Sequence, residues 1–151
     1  MSTVVNKIFW LPGPWQTEPD RVEWRQAGLP CLMVRNKRMG FWCGYVGIPP
    51  THPHYGKDSD QLENHYKVHG GLTYSAACRG DICHVPQPGE SDHVWWIGFD
   101  CGHAGDMVPS HIVDLASEGD AYRTLAYVQT ATNLLAQQVW NWEKPPSMGE
   151  E

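Results

Sequence analysis

Leu125, Val128, Thr132, Leu135 and Val139 recur at intervals of three and four residues, the spacing of one face of an α-helix. The pattern predicts a helix from about Ala121 to Trp142, stopped by Pro145-Pro146, with 143–151 left as a short flexible tail. A one-sided apolar stripe has to be covered, and the segments upstream read as strands able to cover it. Leu29–Val34 and Phe41–Ile48 flank the polar turn Asn36-Lys37-Arg38 and read as a β-hairpin. Lys67–Tyr74 and His93–Asp100 are further strand candidates. A short helix is expected earlier, with Pro19 in its first turn, Asp20 at its positive end and Gly28 at the C-cap. The expected fold is therefore α+β: a small, mostly antiparallel sheet packed against a long C-terminal helix, with long loops. One domain over 1–151 is expected, including an N-terminal segment, 1–15, that contains the breaker cluster Pro12-Gly13-Pro14.

Composition narrows the function. With 41% hydrophobic and 19% charged residues, the chain has the makeup of a globular protein. Eleven basic against seventeen acidic residues, a net charge of −6, leave no basic stripe for duplex nucleic acid. The carboxylates form no dense rows that would imitate DNA. No apolar run is long enough to span a membrane, and Met1–Trp15 lacks the pattern of a signal peptide, so a cytoplasmic location is expected. The five cysteines are odd in number and irregularly spaced, which reads as reduced thiols rather than a disulfide framework. Eight tryptophans exceed ordinary core needs and could furnish a homo-oligomer interface or a stacking platform. In Trp95-Trp96, alternation on a strand sends the two rings to opposite faces.

Two segments carry candidate chemistry. In Val68-His69-Gly70-Gly71-Leu72-Thr73-Tyr74, paired glycines interrupt a strand pattern, which marks either a bulge or a close approach of a ligand beside His69. In Trp95–Asp106, an apolar strand delivers Asp100, Cys101, His103 and Asp106 into a glycine-rich loop. Such groups at a strand end suit acid–base work, metal binding or hydroxyl recognition; capping of loop amides is the structural alternative. The ligand-binding set drawn from these segments and the aromatic loops is Tyr45, His54, His69, Gly70, Gly71, Tyr74, Trp96, Asp100, His103 and Asp106. Catalysis, if present, would use His69, Asp100 and His103. A metal, with zinc the candidate cofactor, would draw on His69, Asp100, Cys101, His103 and His111, although no familiar ligand spacing is present. No G-x-S-x-G elbow, Walker loop or G-x-G-x-x-G fingerprint occurs.

The motifs Tyr45-Val46-Gly47-Ile48-Pro49-Pro50 with His52-Pro53, His69–Tyr74 and Trp95–Asp106 resemble those of a group of small bacteriophage and prophage proteins. The resemblance spans roughly Leu29 to Val139 and carries over no catalytic residues; it implies a phage context, in which accessory proteins of this size often counter host defences. The expected function is capture of a small polar, nucleotide-like ligand such as a defence signal. The alternatives are a metal- or His/Asp-dependent hydrolase of a similar ligand, and an inhibitor that binds a host protein.

Overall fold

The structure is a computed structural model that describes residues 5–8, 10, 12–90, 93–103, 106, 108–109 and 121–143. His111 and the 144–151 part of the expected tail lie outside the described residues. Five strands form one antiparallel sheet: β1 (Arg21–Gln26), β2 (Leu29–Arg35), β3 (Trp42–Ile48), β4 (Tyr74–Ala77) and β5 (Trp95–Asp100). Their spatial order is β1-β2-β3-β5-β4. A one-turn helix α1 (Ser59–Leu62) precedes β4, and α2 (Leu125–Glu143) packs across one sheet face. The α+β arrangement anticipated from the helical stripe is the one observed, and no helix among the described residues is long and apolar enough to cross a membrane.

Alternation along the strands sorts side chains into two layers. Met33, Trp42, Val46, Ile48, Ile97 and Phe99 face α2, where Val128, Leu135 and Val139 complete a buried core. Gly44 lets the helix come close, because a Cβ there would stand 2.4 Å from Thr132 Oγ1. The opposite face carries Leu32, Tyr45, Val94 and Trp96. It is covered by the 78–90 excursion, which Arg21 holds by donating to the carbonyls of Asp81 and Cys83 and Arg25 by pairing with Glu90.

Three local expectations are corrected. The segment after Pro19 is strand β1, not a helix: Val22 and Trp24, two residues apart, both pack against the main core, and Trp24 Nε1 donates to Asn133 on α2 at 2.6 Å. Gly28 belongs to a two-residue hairpin turn with Ala27, both at positive φ (76° and 55°), the geometry that matches strand twist. Lys67–Thr73 is a turn region rather than strand, because Gly70 and Gly71 adopt φ of 69° and 81° and Gly71 N–H bonds Val68 O. Cys78 and Cys83 form a disulfide, contrary to the expectation of five reduced thiols; the tight Arg79–Ile82 bridge brings their Cα atoms to 4.7 Å. Cys31, Cys43 and Cys101 are free.

Arg35 at the end of β2 has a side chain with 0% exposure and sits over the Trp42 ring. It donates to Asp20 at 2.7 Å, Glu18 at 3.2 Å, Gly40 O at 2.8 Å and Tyr122 Oη at 3.0 Å. Glu18 in turn accepts from Tyr122, from Trp42 Nε1 and from the backbone N–H of Leu125, the first residue of α2. Lys7 pairs with Asp20 at 2.6 Å. Burial works against both carboxylates, yet these donors hold Glu18 below its ordinary 4.5 and Asp20 below its ordinary 3.8. Because both values are depressed on folding, the stability they add is complete above pH 4.5 and is lost as pH falls through the folded values. Arg35→Met should destabilise by about 3 kcal/mol at pH 7, since it removes the guanidinium that Glu18 and Asp20 share and leaves Glu18 without a cationic partner. Urea denaturation at pH 7 and at pH 3 checks this: the penalty should shrink at the lower pH, and an equal loss at both would contradict the ionic account.

Candidate functional site

The turn at Lys67–Leu72, the chain leaving β5 and the start of α2 meet at one corner of the sheet. His69 reaches Asp106 with Nε2 2.9 Å from both carboxylate oxygens, while its Nδ1 lies 2.9 Å from Tyr127 Oη. In the neutral ring the Nε2–H donates to Asp106, which leaves Nδ1 to accept from the tyrosine hydroxyl. Asp106, with a side chain only 1% exposed, also accepts from Arg123 Nε at 2.7 Å and from the backbone N–H of His103 at 3.1 Å. Burial raises the cost of its charge, but Arg123, His69 and the His103 amide together hold its carboxyl below the usual carboxylate range. Arg123 also lies over the Tyr127 ring, 5.1 Å from its centroid, across one turn at the start of α2. Thr124 caps that turn by accepting from the N–H of Tyr127.

His103 stands beside this pair, its ring 6.4 Å from that of His69. Its Nδ1 lies 3.2 Å from Asp100 Oδ1, within ion-pair range, but has no hydrogen-bond partner among the described residues. Asp100 itself accepts from Thr73 Oγ1 and from the N–H of Gly102. Gly70 makes the arrangement possible, because a Cβ there would fall 2.6 Å from His103 Nδ1.

A groove of about 650 Å³ opens from His69 along the outer face of α2, lined by Lys67, Val68, Tyr127, Thr130, Ala131 and Leu134. Gln138 on α2 holds the Lys67 side of the groove by bonding both the N–H and the C=O of Lys67 at 2.8 Å. Tyr127 and Leu134 are 41% and 60% exposed, so one wall is apolar surface open to solvent. The volume is that of a small-molecule site, apolar along its length with polar groups gathered at one end.

The sequence-derived site set is thus split. His69, Gly70, Asp100, His103 and Asp106 converge, and Gly71 adjoins them. Tyr45, Tyr74 and Trp96 lie on the sheet face away from α2, where Tyr45 and Tyr74 pack edge to face and His84 covers Trp96. Strand alternation puts them there, so they line no common pocket with His69. His54 sits near the other end of α2, its Nδ1 2.6 Å from Tyr66 Oη and its ring against His65 and Trp142. Its neighbour His52 bonds Val139 O, so this histidine cluster fastens the 49–66 loop to the end of the helix. Cys101 is buried within the main core, where burial and then the neighbouring Asp106, Cys43 and Asp100 push its thiol up and disfavour the thiolate. Tyr127, Arg123 and Lys67 were not singled out by sequence pattern. The signal available was the pairing of Arg123 and Tyr127 four residues apart, off the apolar stripe.

No protein-family model, curated protein or solved structure matches the chain.

Gly70→Ala and Gly71→Ala each force a left-handed alanine, at a cost of about 1–2 kcal/mol. Only the first also displaces His103, since a Cβ at Gly71 meets open space. Thermal denaturation should show both to be destabilised, the first more so. The imidazole NMR signals of His103 should move in Gly70→Ala alone; equal movement in both would separate Gly70 from any role in seating that ring.

Proposed function

We propose that the protein binds and sequesters a small polar, nucleotide-like ligand in the groove between the Lys67–His69 segment and α2. The observation that carries this reading is the groove's construction: an aromatic and aliphatic wall ending in the fixed polar group of His69, Tyr127 and Asp106. A base would lie against Tyr127 and Leu134, with its polar edge turned to the Tyr127 hydroxyl. Lys67 makes no ion pair among the described residues and stands on the groove's rim, suited to an anionic group. Both nitrogens of His69 are engaged, one by a carboxylate and one by a hydroxyl, which suits holding a ligand better than taking a proton from it. The resemblance to bacteriophage and prophage proteins supports a setting in the host cytoplasm, with capture of a defence signal as the purpose.

The hydrolase alternative has the 2.9 Å His69–Asp106 contact in its favour, since a carboxylate-oriented histidine is a familiar base. Calorimetric titration with a panel of linear and cyclic mono- and dinucleotides, followed by mass analysis of the released ligand, separates the two. Binding with intact release is expected, and Tyr127→Ala should weaken it by about 1–3 kcal/mol, the usual loss for removing a stacking ring. A ligand returned in cleaved form would favour the hydrolase. Tight binding untouched by Tyr127→Ala would overturn the groove as its site.

A further inference from the structure

We propose that His69, His103 and Asp106 form a binding site for one divalent transition ion of the zinc class, with Asp100 or water completing the coordination. This inference does not depend on what the groove binds. The three donor atoms lie within 4.8 Å of one another. Ligand atoms around a tetrahedral zinc with bonds of ~2.0–2.1 Å stand ~3.3–3.5 Å apart. The existing separations bracket that figure: His69 Nε2 is 2.9 Å and His103 Nδ1 4.0 Å from the same oxygen, Asp106 Oδ2. A movement of the His103 ring by less than its own width brings the set to bonding distance. That ring is 36% exposed on its solvent side.

Two further observations point to a ligand here. His103 Nδ1 is a solvent-shielded nitrogen with no hydrogen-bond partner among the described residues, turned towards two carboxylates. A cation placed between that nitrogen and the two carboxylates would give all three a partner. The outer partners that orient metal ligands are also in place. Tyr127 Oη stands on the far nitrogen of His69, Arg123 Nε on Oδ1 of Asp106, and the His103 N–H on its Oδ2, whose remaining lone pair faces the two rings. The carboxylates of Asp100 and Asp106 outnumber the one guanidinium, so the corner attracts a cation.

Binding involves a definite proton movement. In the ion-free protein the Nε2–H of His69 points at Asp106; the ion takes that place. The proton leaves Nε2 and the ring is held as its Nδ1–H tautomer, which donates to Tyr127 Oη and reverses that hydrogen bond. The proton lost from Nε2 is matched by one gained at Nδ1, so this change of tautomer by itself releases no net proton.

The test uses tag-free full-length protein, stripped with chelator and titrated with Co²⁺ and then Zn²⁺. One Co²⁺ per chain is expected, with the visible bands of nitrogen and oxygen ligation and no thiolate charge transfer, displaced by one equivalent of Zn²⁺. His103→Ala should weaken Zn²⁺ binding by more than the ~10- to 100-fold that loss of an outer partner causes. Tyr127→Phe, which removes only such a partner, should fall within that range. Circular dichroism checks that His103→Ala keeps the wild-type fold; should it unfold, Asp100→Asn and the histidine NMR shifts of the wild-type protein on adding Zn²⁺ decide instead. Absence of stoichiometric Co²⁺ binding, thiolate bands, or unchanged affinity in folded His103→Ala would overturn the site. Nucleotide binding measured on the stripped protein is a separate result, so failure of the metal site leaves the groove's ligand to be judged by its own titration.

Discussion

The buried guanidinium of Arg35 is the point to which the rest of the chain is tied. It ends β2, lies on Trp42 of β3 and draws in Glu18 and Asp20 from the preceding segment and Tyr122 from the approach to α2. A buried charge of this kind is tolerable only when each of its donors finds an acceptor, and here they do. The same network then fixes the helix, because Glu18 accepts from the first N–H of α2 with the oxygen that Arg35 does not use. The positions of Arg123, two residues before that anchor, and Tyr127, two residues after it, follow from it.

The candidate site is consequently a product of two independently held edges. One is the end of β5, from which His103 and Asp106 emerge; the other is the first turn of α2. The glycine turn at Gly70-Gly71 brings His69 between them, and the absence of a side chain at Gly70 gives His103 its place. Asp106 joins all three, accepting from a histidine, an arginine and a backbone amide. Its depressed pKa reflects that triple engagement outweighing burial, so the carboxylate is the fixed charge around which the histidines are arranged.

Much of this was legible in the residues. The stripe from Leu125 to Val139 identified α2 and the face it buries, and the apolar runs identified β2, β3 and β5 closely. β1 was misread because Pro19, Asp20 and Gly28 imitate helix start and stop signals, while the period-two placement of Val22 and Trp24 is too short to outweigh them. His69, Asp100, His103 and Asp106 were visible as polar groups in glycine-rich surroundings. Grouping Tyr45, Tyr74 and Trp96 with them ignored which sheet face each residue occupies, a property set by pairing register and not by sequence nearness. Arg123 and Tyr127 were hidden for a related reason: a stripe identifies the face a helix buries, and these two side chains lie off it. The Cys78–Cys83 bridge depends on a turn geometry that spacing alone does not encode.

The bond from Glu18 to Leu125 joins residues 107 positions apart. During synthesis, Glu18 and Asp20 therefore meet Arg35 long before the helix that completes their network has been made. The hairpins of the sheet can assemble on local contacts, but their α2-facing layer stays uncovered until nearly all of the described chain has left the ribosome. A nascent chain halted before α2 would present Met33, Val46 and Phe99 to solvent, an adhesive surface for chaperones or for other unfinished copies. The closing of the fold is thus a late event in the life of each molecule, timed by the arrival of a single helix.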